Sequence, residues 1–279
     1  MTQNLWGWHF PTPPLGIGYG KSDAWTARND VLRDGLRALD PDLVAFQEAI
    51  RTDDYDQVRN LLGNGYHVVH QEARQADGSG ATIASRWPVH AVHEVDLHLT
   101  SRVAGFPAVT LIADVEAPPP YGRLLFADHV PNGKPDFERE RELQAVAAAR
   151  AIEALLHEGI GHTVVGGDFS VGLDAASVRF WLGRQSLHDT SVCYVDAWDR
   201  ARPGEPGHTV TPANDLVSRG TWPQRRGEAI DHVLIRTVDH GPSLEVTSCE
   251  LAFDAPVGGV WASDHFGVVA DLVPAPNPV

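Results

Sequence analysis

The acids and imidazoles of this chain gather at the ends of apolar runs, where a β-scaffold presents side chains. Leu43-Val44-Ala45-Phe46-Gln47-Glu48 closes an otherwise core-like run with a carboxylate. Strand alternation puts Glu48 on the same side as Val44 and Phe46, so it stands either at the sheet rim or buried with a partner. Val164-Val165-Gly166-Gly167-Asp168-Phe169-Ser170 sets two glycines before an acid, and the glycines are expected to let the backbone turn tightly. Ala229-Ile230-Asp231-His232-Val233 places an acid inside a strand, which is costly unless the acid is paired. His265, in Ser263-Asp264-His265, is the candidate partner, and Asp128-His129 puts a second histidine at a strand end. Each of these residues alone has an ordinary structural reading. Together they supply what metal-assisted phosphoester hydrolysis needs. Hard oxygen ligands would hold Mg²⁺ or Mn²⁺, a histidine–aspartate pair would activate water, and donors would stabilise the pentavalent transition state.

The ordered set Asn4, Gln47-Glu48, Ser85-Arg86-Trp87-Pro88, His129-Val130-Pro131-Asn132, Gly167-Asp168-Phe169, Ile230-Asp231-His232-Val233 and Ser263-Asp264-His265 resembles the endonuclease/exonuclease/phosphatase superfamily. The likeness spans nearly the whole chain, and its strength lies in the order of motifs that are individually weak. It implies a single domain over residues 1–279, an α+β four-layer sandwich of two packed mixed β-sheets flanked by helices, with the site at one rim. By motif, Glu48 is the principal metal ligand, with Asn4 in its shell and Asp264 a further metal-side carboxylate. Asp168 binds metal or orients the attacking water. By the same resemblance His265, oriented by Asp231, would contact the scissile phosphate as general base or electrostatic stabiliser, and His129 would protonate or stabilise the leaving oxygen.

Asp264 and His265 can both serve only if Ser263-Asp264-His265 is loop, because neighbours on a regular strand face opposite ways. Ser170 stands where the family usually has asparagine. It donates with a shorter reach, which leaves open a slower enzyme, an altered phosphate substrate or a non-catalytic binding protein. Ser170, Arg86 and Asn132 make up the expected substrate-binding set, although Arg86 either reaches the site or anchors its own loop. Residues 205–226 resemble a substrate-side loop, in which Arg225-Arg226 either hold a second phosphate or form a solvated pair. The Pro-Gly-aromatic segment from Trp6 to Trp25 is either a lid, with Trp6, Trp8 and Tyr19 able to stack on a base or sugar, or ordinary packing.

The elements that must position these residues are legible in the periodicity. Asp23–Leu39 reads as a helix with Val31, Leu32, Leu36 and Leu39 on one face, and Glu138–Leu156 as a second. Strands are expected at Leu43–Gln47, Tyr66–His70, Ala81–Ala84, Val89–Leu99, Ala108–Val115, Leu124–His129, Thr163–Gly167, Ile230–Ile235, Leu244–Glu250 and Phe266–Leu272. Asn4 should end a strand, and Asp174 should cap a short helix through Leu182.

Composition sets the outer bounds. The chain has 279 residues, 43% of them hydrophobic, and a formal charge of −15, with Lys21 and Lys134 its only lysines. Such a surface repels polyanions, which excludes a basic DNA-coating protein and leaves a metal-assisted phosphoesterase open. The acid surface favours a small organic phosphate, whereas His129-Val130-Pro131-Asn132 lies closer to the nuclease branch and favours a phosphodiester. No signal peptide or membrane-length apolar run is visible, so a cytoplasmic protein is expected; a monomer is the expected oligomeric state. No Gly-x-Ser-x-Gly elbow or helical His-x-x-x-His pair supports a serine or zinc hydrolase.

Overall fold

A computed structural model describes residues 1–6, 23–156, 159–220, 226–239 and 241–275. The chain opens with β1 (Thr2–Asn4), α1 (Asp23–Leu39), β2 (Leu43–Ile50) and α2 (Gln57–Leu62). Then come β3 (His67–His70), β4 (Ser79–Ser85), β5 (Val89–Asp96), β6 (Val109–Glu116), β7 (Arg123–Val130) and α3 (Glu138–Leu155). The second half holds β8 (Ile160–Asp168), α4 (Ala176–Trp181), β9 (Tyr194–Asp196), α5 (Ala197–Ala201) and α6 (Asp215–Ser218). It closes with β10 (Asp231–Val238), β11 (Gly241–Pro242), β12 (Leu244–Ala252) and β13 (Gly267–Pro274). No helix among the described residues is long and apolar enough to cross a membrane.

These strands form two mixed sheets, ordered β12-β13-β1-β2-β4-β3 and β11-β10-β8-β7-β6-β5, with β9 joined to β10. The parallel pairs are β1–β2 and β7–β8. Strand alternation sorts the apolar side chains into three layers. Ala45, Ile83, Leu124, Phe126, Val164, Val233 and Ile235 pack between the sheets. Val44 and Phe46 face the other way, onto Leu32 and Leu36 of α1 and Val58 and Leu61 of α2. Leu125, Ala127, Val165 and Leu234 face Ala145, Ala149 and Ile152 of α3 and Phe180 and Trp181 of α4. Buried on both faces, the central strands read as continuous apolar runs in the sequence.

Two expectations are corrected. Gly166-Gly167 makes no turn: both residues lie inside β8, opposite Val233 and His232 of β10. They permit close approach instead. A Cβ on Gly167 would lie 2.0 Å from the His129 carbonyl oxygen, and one on Gly166 would press on Ala45 and Thr2 of the facing sheet. Asp174 does not cap α4, whose N-cap position is Ala175, with no side-chain cap bond. Glu138 does so from the neighbouring helix, its Oε1 accepting from the Ser177 amide at 2.7 Å.

The Gly167 constraint is testable. Gly167→Ala should lower the unfolding free energy by about 2 kcal/mol or more, the range of overpacked cores. Gly161→Ala in the same strand meets nothing within 4 Å and should stay within about 0.5 kcal/mol. Urea unfolding of both variants measures the difference.

Candidate active site

The inward alternation that places Leu124, Phe126, Val164 and Val233 between the sheets continues to Asp128, Asp168 and Asp231 at the strand ends. At this rim the inter-sheet layer turns from apolar to acidic. Asp168 and Asp231 are direct cross-strand partners, an arrangement that is unfavourable for like charges without a cation nearby. Burial and the Asp231 charge push the Asp168 pKa up to about 6, against the favourable His265 charge and hydrogen bonds from Asn4 and Ser170.

Glu48 joins them through a defect in β2. The β2–β4 register shifts between Phe46 and Ala49, so one extra residue is accommodated there, and Glu48 adopts φ +56°. The expected alternation, with Glu48 beside Val44 and Phe46, therefore fails. The bulge turns it toward Asn4 while Ala49 resumes packing with Val44 and Phe46. Left-handed backbone at a non-glycine residue costs on the order of 1–3 kcal/mol and concentrates at functional sites. Trp6, at φ +51°, and Ser170, at φ +62°, are further such residues beside the site.

Asn4 links these carboxylates. Its Nδ2 donates to Asp168 Oδ2 at 3.0 Å and to Glu48 Oε1 at 3.3 Å. On the other side, His265 Nδ1 donates to Asp231 Oδ2 at 2.9 Å, and Thr209 Oγ1 donates to the same oxygen at 2.5 Å. Burial disfavours a charged His265, but Asp231, Asp264 and Asp168 outweigh it and hold the pKa well above the ordinary value. Ser263-Asp264-His265 is loop, since β13 starts only at Gly267, so Asp264 and His265 can face one site. Burial raises the Asp264 pKa, opposed by His265 and Arg28. Ser263 fastens this loop by donating from Oγ to the Asn4 carbonyl at 2.7 Å.

Ligand atoms of Asp168, Asp231 and His265 lie within 4.8 Å of one another. His265 Nδ1 is engaged by Asp231, and the hard donors at this rim are the carboxylate oxygens and the Asn4 carboxamide oxygen. Hard oxygens in a like-charged cluster fit a hard divalent cation. Ser170 turns its own donors inward: its amide and Oγ lie 2.9 and 3.3 Å from Asp168 Oδ1.

Three expected residues are not joined to this group. Arg86 lies beyond Ser85, the partner of Leu43 at the far end of β2, roughly 16 Å along the strand from Glu48. Its guanidinium pairs with Asp40 and lies over the Tyr66 ring, so it anchors its own loop. Asn132 is fully buried and accepts from the Lys134 amide at 2.9 Å, while its Nδ2 has no partner among the described residues. His129 faces the helix side, edge-on to Phe169 and Trp181, and shares a 2.7 Å hydrogen bond with Thr110. Burial pushes its pKa down to about 3, so the ring is neutral at pH 7 and carries a single N–H, without the second proton of an imidazolium acid. Of the suggested lid and substrate loop, residues 7–22 and 221–225, including Trp8, Tyr19 and Arg225, lie outside the described residues.

The structure adds Arg28, which the sequence reading missed. It is 3% exposed, lies over the Trp6 and Trp25 rings, and donates to the carbonyls of Leu5 and Ala262 at 2.8 and 3.0 Å. Burial lowers its pKa to about 10, with Asp264 and Glu48 opposing. The signal was present: Arg28, Leu32 and Leu36 recur at four-residue spacing, which puts a cation on the buried stripe of α1. Thr209 and Asn214, read as substrate-side residues, instead position others. Thr209 holds Asp231, and Asn214 Nδ2 donates to the Ser263 carbonyl at 2.8 Å.

The sequence profile of the Endonuclease/Exonuclease/phosphatase family matches residues 1–265. Among solved structures, D. rerio TDP2 complexed with single strand DNA product has a TM-score of 0.69 at 18% identity, covering 92% of this chain and 94% of that one. An endonuclease/exonuclease/phosphatase from Bacteroides vulgatus has a TM-score of 0.70 at 18% identity, covering 98% and 97%. The mannosyl-6-phosphatase of Bacteroides thetaiotaomicron has a TM-score of 0.67 at 16% identity, covering 89% and 91%. No curated protein matches the chain in sequence.

His129 makes the fold acid-sensitive in a definite direction. Its folded pKa lies below the unfolded value near 6.5, so the unfolded chain takes up a proton that the folded chain refuses. The stability is fully present above pH 6.5 and is lost as pH falls toward 3. Between pH 7 and 5 the loss from this one ring is about 2 kcal/mol. His129→Gln removes the titrating ring, and urea unfolding at the two pH values should show a correspondingly smaller drop than in the unaltered chain.

Proposed function

Because this chain belongs to the endonuclease/exonuclease/phosphatase family and is a phosphoester-hydrolysing enzyme, we propose that it cleaves a phosphodiester with Mg²⁺ or Mn²⁺ by in-line attack of water. One observation carries the reading: a single inward-facing cluster holds the Asn4 carboxamide bridging Glu48 and Asp168, together with the Asp231–His265 pair. The preference for a diester over a small monoester rests on the His129-Val130-Pro131-Asn132 motif. The DNA product recorded with the TDP2 neighbour is consistent with it, and the mannosyl-6-phosphatase neighbour marks the monoester alternative.

Glu48, Asn4 and Asp264 would hold the ion, with Asp168 at its edge. When bound, the ion supplies positive charge against the phosphoryl oxygens. Asp231 fixes the His265 ring through Nδ1 and leaves Nε2 free to donate to a phosphate oxygen as negative charge develops there. Asp168, held by Asn4, orients the attacking water and accepts its proton, a role suited to a carboxylate with pKa near 6. Thr209 limits Asp231 to a fixed orientation, so that His265 keeps its ring plane during turnover.

A generic phosphodiester, a phosphomonoester and supercoiled plasmid, each with Mg²⁺, Mn²⁺ or EDTA, should show metal-dependent hydrolysis with the diester preferred. Asp168→Ala should lower the rate by about 10³ or more, as loss of a proton-transfer group does elsewhere. Ser170→Asn, which restores a longer donor, should raise it by about tenfold or more. Turnover that persists in EDTA, or survives Asp168→Ala, would discard the mechanism.

A further inference from the structure

Beneath the carboxylates lies a polar bridge that the proposed chemistry leaves unused. Asp128 is fully buried and faces inward from β7, in a layer otherwise made of Leu124, Phe126, Val164 and Val233. Its Oδ1 accepts from Gln47 Nε2 at 2.7 Å, and that same nitrogen donates to Thr2 Oγ1 at 3.0 Å. Thr2 and Gln47 are also fully buried. The bridge therefore runs from β7 of one sheet to β2 and β1 of the other.

Its position matters more than its bonds. Gln47 is the residue before Glu48, inside the register shift between Phe46 and Ala49. On a regular strand one of two neighbours must face away from the inter-sheet gap. Here both are turned toward the site, which requires something to hold the bulge. Asp128 makes no ion pair among the described residues, and its Oδ2 has no hydrogen-bond partner among them. A carboxyl placed so deep without a cation is a costly way to add stability. Its side-chain partner is Gln47 of the bulged segment, and it also meets the backbone of Thr82, which pairs with Phe46 beside the bulge.

We propose that Asp128 is a positioning residue: across the inter-sheet gap it pins the Gln47 amide, and so holds the β2 bulge that aims Glu48 at Asn4. The inference rests on the reading of Glu48 as a metal-side carboxylate. Burial pushes the Asp128 pKa well above the ordinary carboxylate value, against the Gln47 hydrogen bond, and an amide in its place keeps the side-chain shape and the Oδ1 acceptor that Gln47 binds.

Three variants test this: Asp128→Asn, Asp128→Ala and Gln47→Met. Backbone hydrogen exchange at residues 47–49 and Mn²⁺ affinity by calorimetry are measured on each folded protein without substrate. Asp128→Asn should keep both within about twofold of the unaltered chain. Asp128→Ala should speed exchange in the bulge and weaken Mn²⁺ binding by about tenfold or more. Gln47→Met removes the Asp128 bond from the other side, together with the Thr2 bond, should behave alike, and serves if Asp128→Ala does not fold. Unchanged exchange and affinity in Asp128→Ala and Gln47→Met would overturn the proposal, as would Asp128→Asn being as impaired as Asp128→Ala. Faster bulge exchange in a protein whose unaltered form binds no Mn²⁺ would support the positioning role while removing the metal reading.

Discussion

The Asn4 carboxamide spans the gap between two sheets and touches a carboxylate on each side, Glu48 on one and Asp168 on the other. This contact sets the terms for the rest of the rim. Asp168 faces Asp231 across a pair of antiparallel strands, and Asp264 is close behind His265. Left to themselves these charges would push the strand ends apart. A donor with two hydrogens, held rigidly between them, keeps the strands close enough to share one substrate. The chain therefore spends unusual effort on holding Asn4. Its carbonyl accepts from both Gln3 Nε2 and Ser263 Oγ at 2.7 Å, and its Oδ1 accepts from the Trp6 amide at 2.8 Å.

Positive charge enters this acidic rim from two directions. His265 comes from the loop before β13, and Arg28 comes from α1 below the opposite wall. Arg28 donates to the backbone carbonyls of Ala262 and Leu5, and its charge acts through space on Asp264 and Glu48. Buried carboxylates tolerate one another here because each has a cation or an amide within its field.

Much of this was legible in the sequence. Asp23–Leu39 and Glu138–Leu155 stand where their apolar stripes put them, and the two-sheet sandwich follows from short apolar runs that alternate between two buried faces. Asp168, Asp231 and His265 could be assembled from motif order because each ends a run whose alternation is regular. Glu48 shows where that logic stops. A bulge shifts the period by one, and nothing in Leu43–Ile50 announces it except an acid that would otherwise point into an apolar layer. Arg86, open between the site and its own loop from motif order alone, is carried by strand pairing to the far end of β2, where it anchors that loop. His129 has the expected residue type at the expected strand end, yet alternation turns it to the helix side, a placement that counting from Leu125 and Ala127 already implies.

The Asn4–Ser263 and Gln3–His265 contacts join residues 259 and 262 apart in the chain. Contacts of such separation form late, because the entropy of closing the intervening loop is recovered only once the rest of the fold is in place. An unfinished chain can have both sheets partly paired and still keep His265 apart from the carboxylates. The cluster is therefore complete only where residues 1–4 and 263–265 are docked against each other.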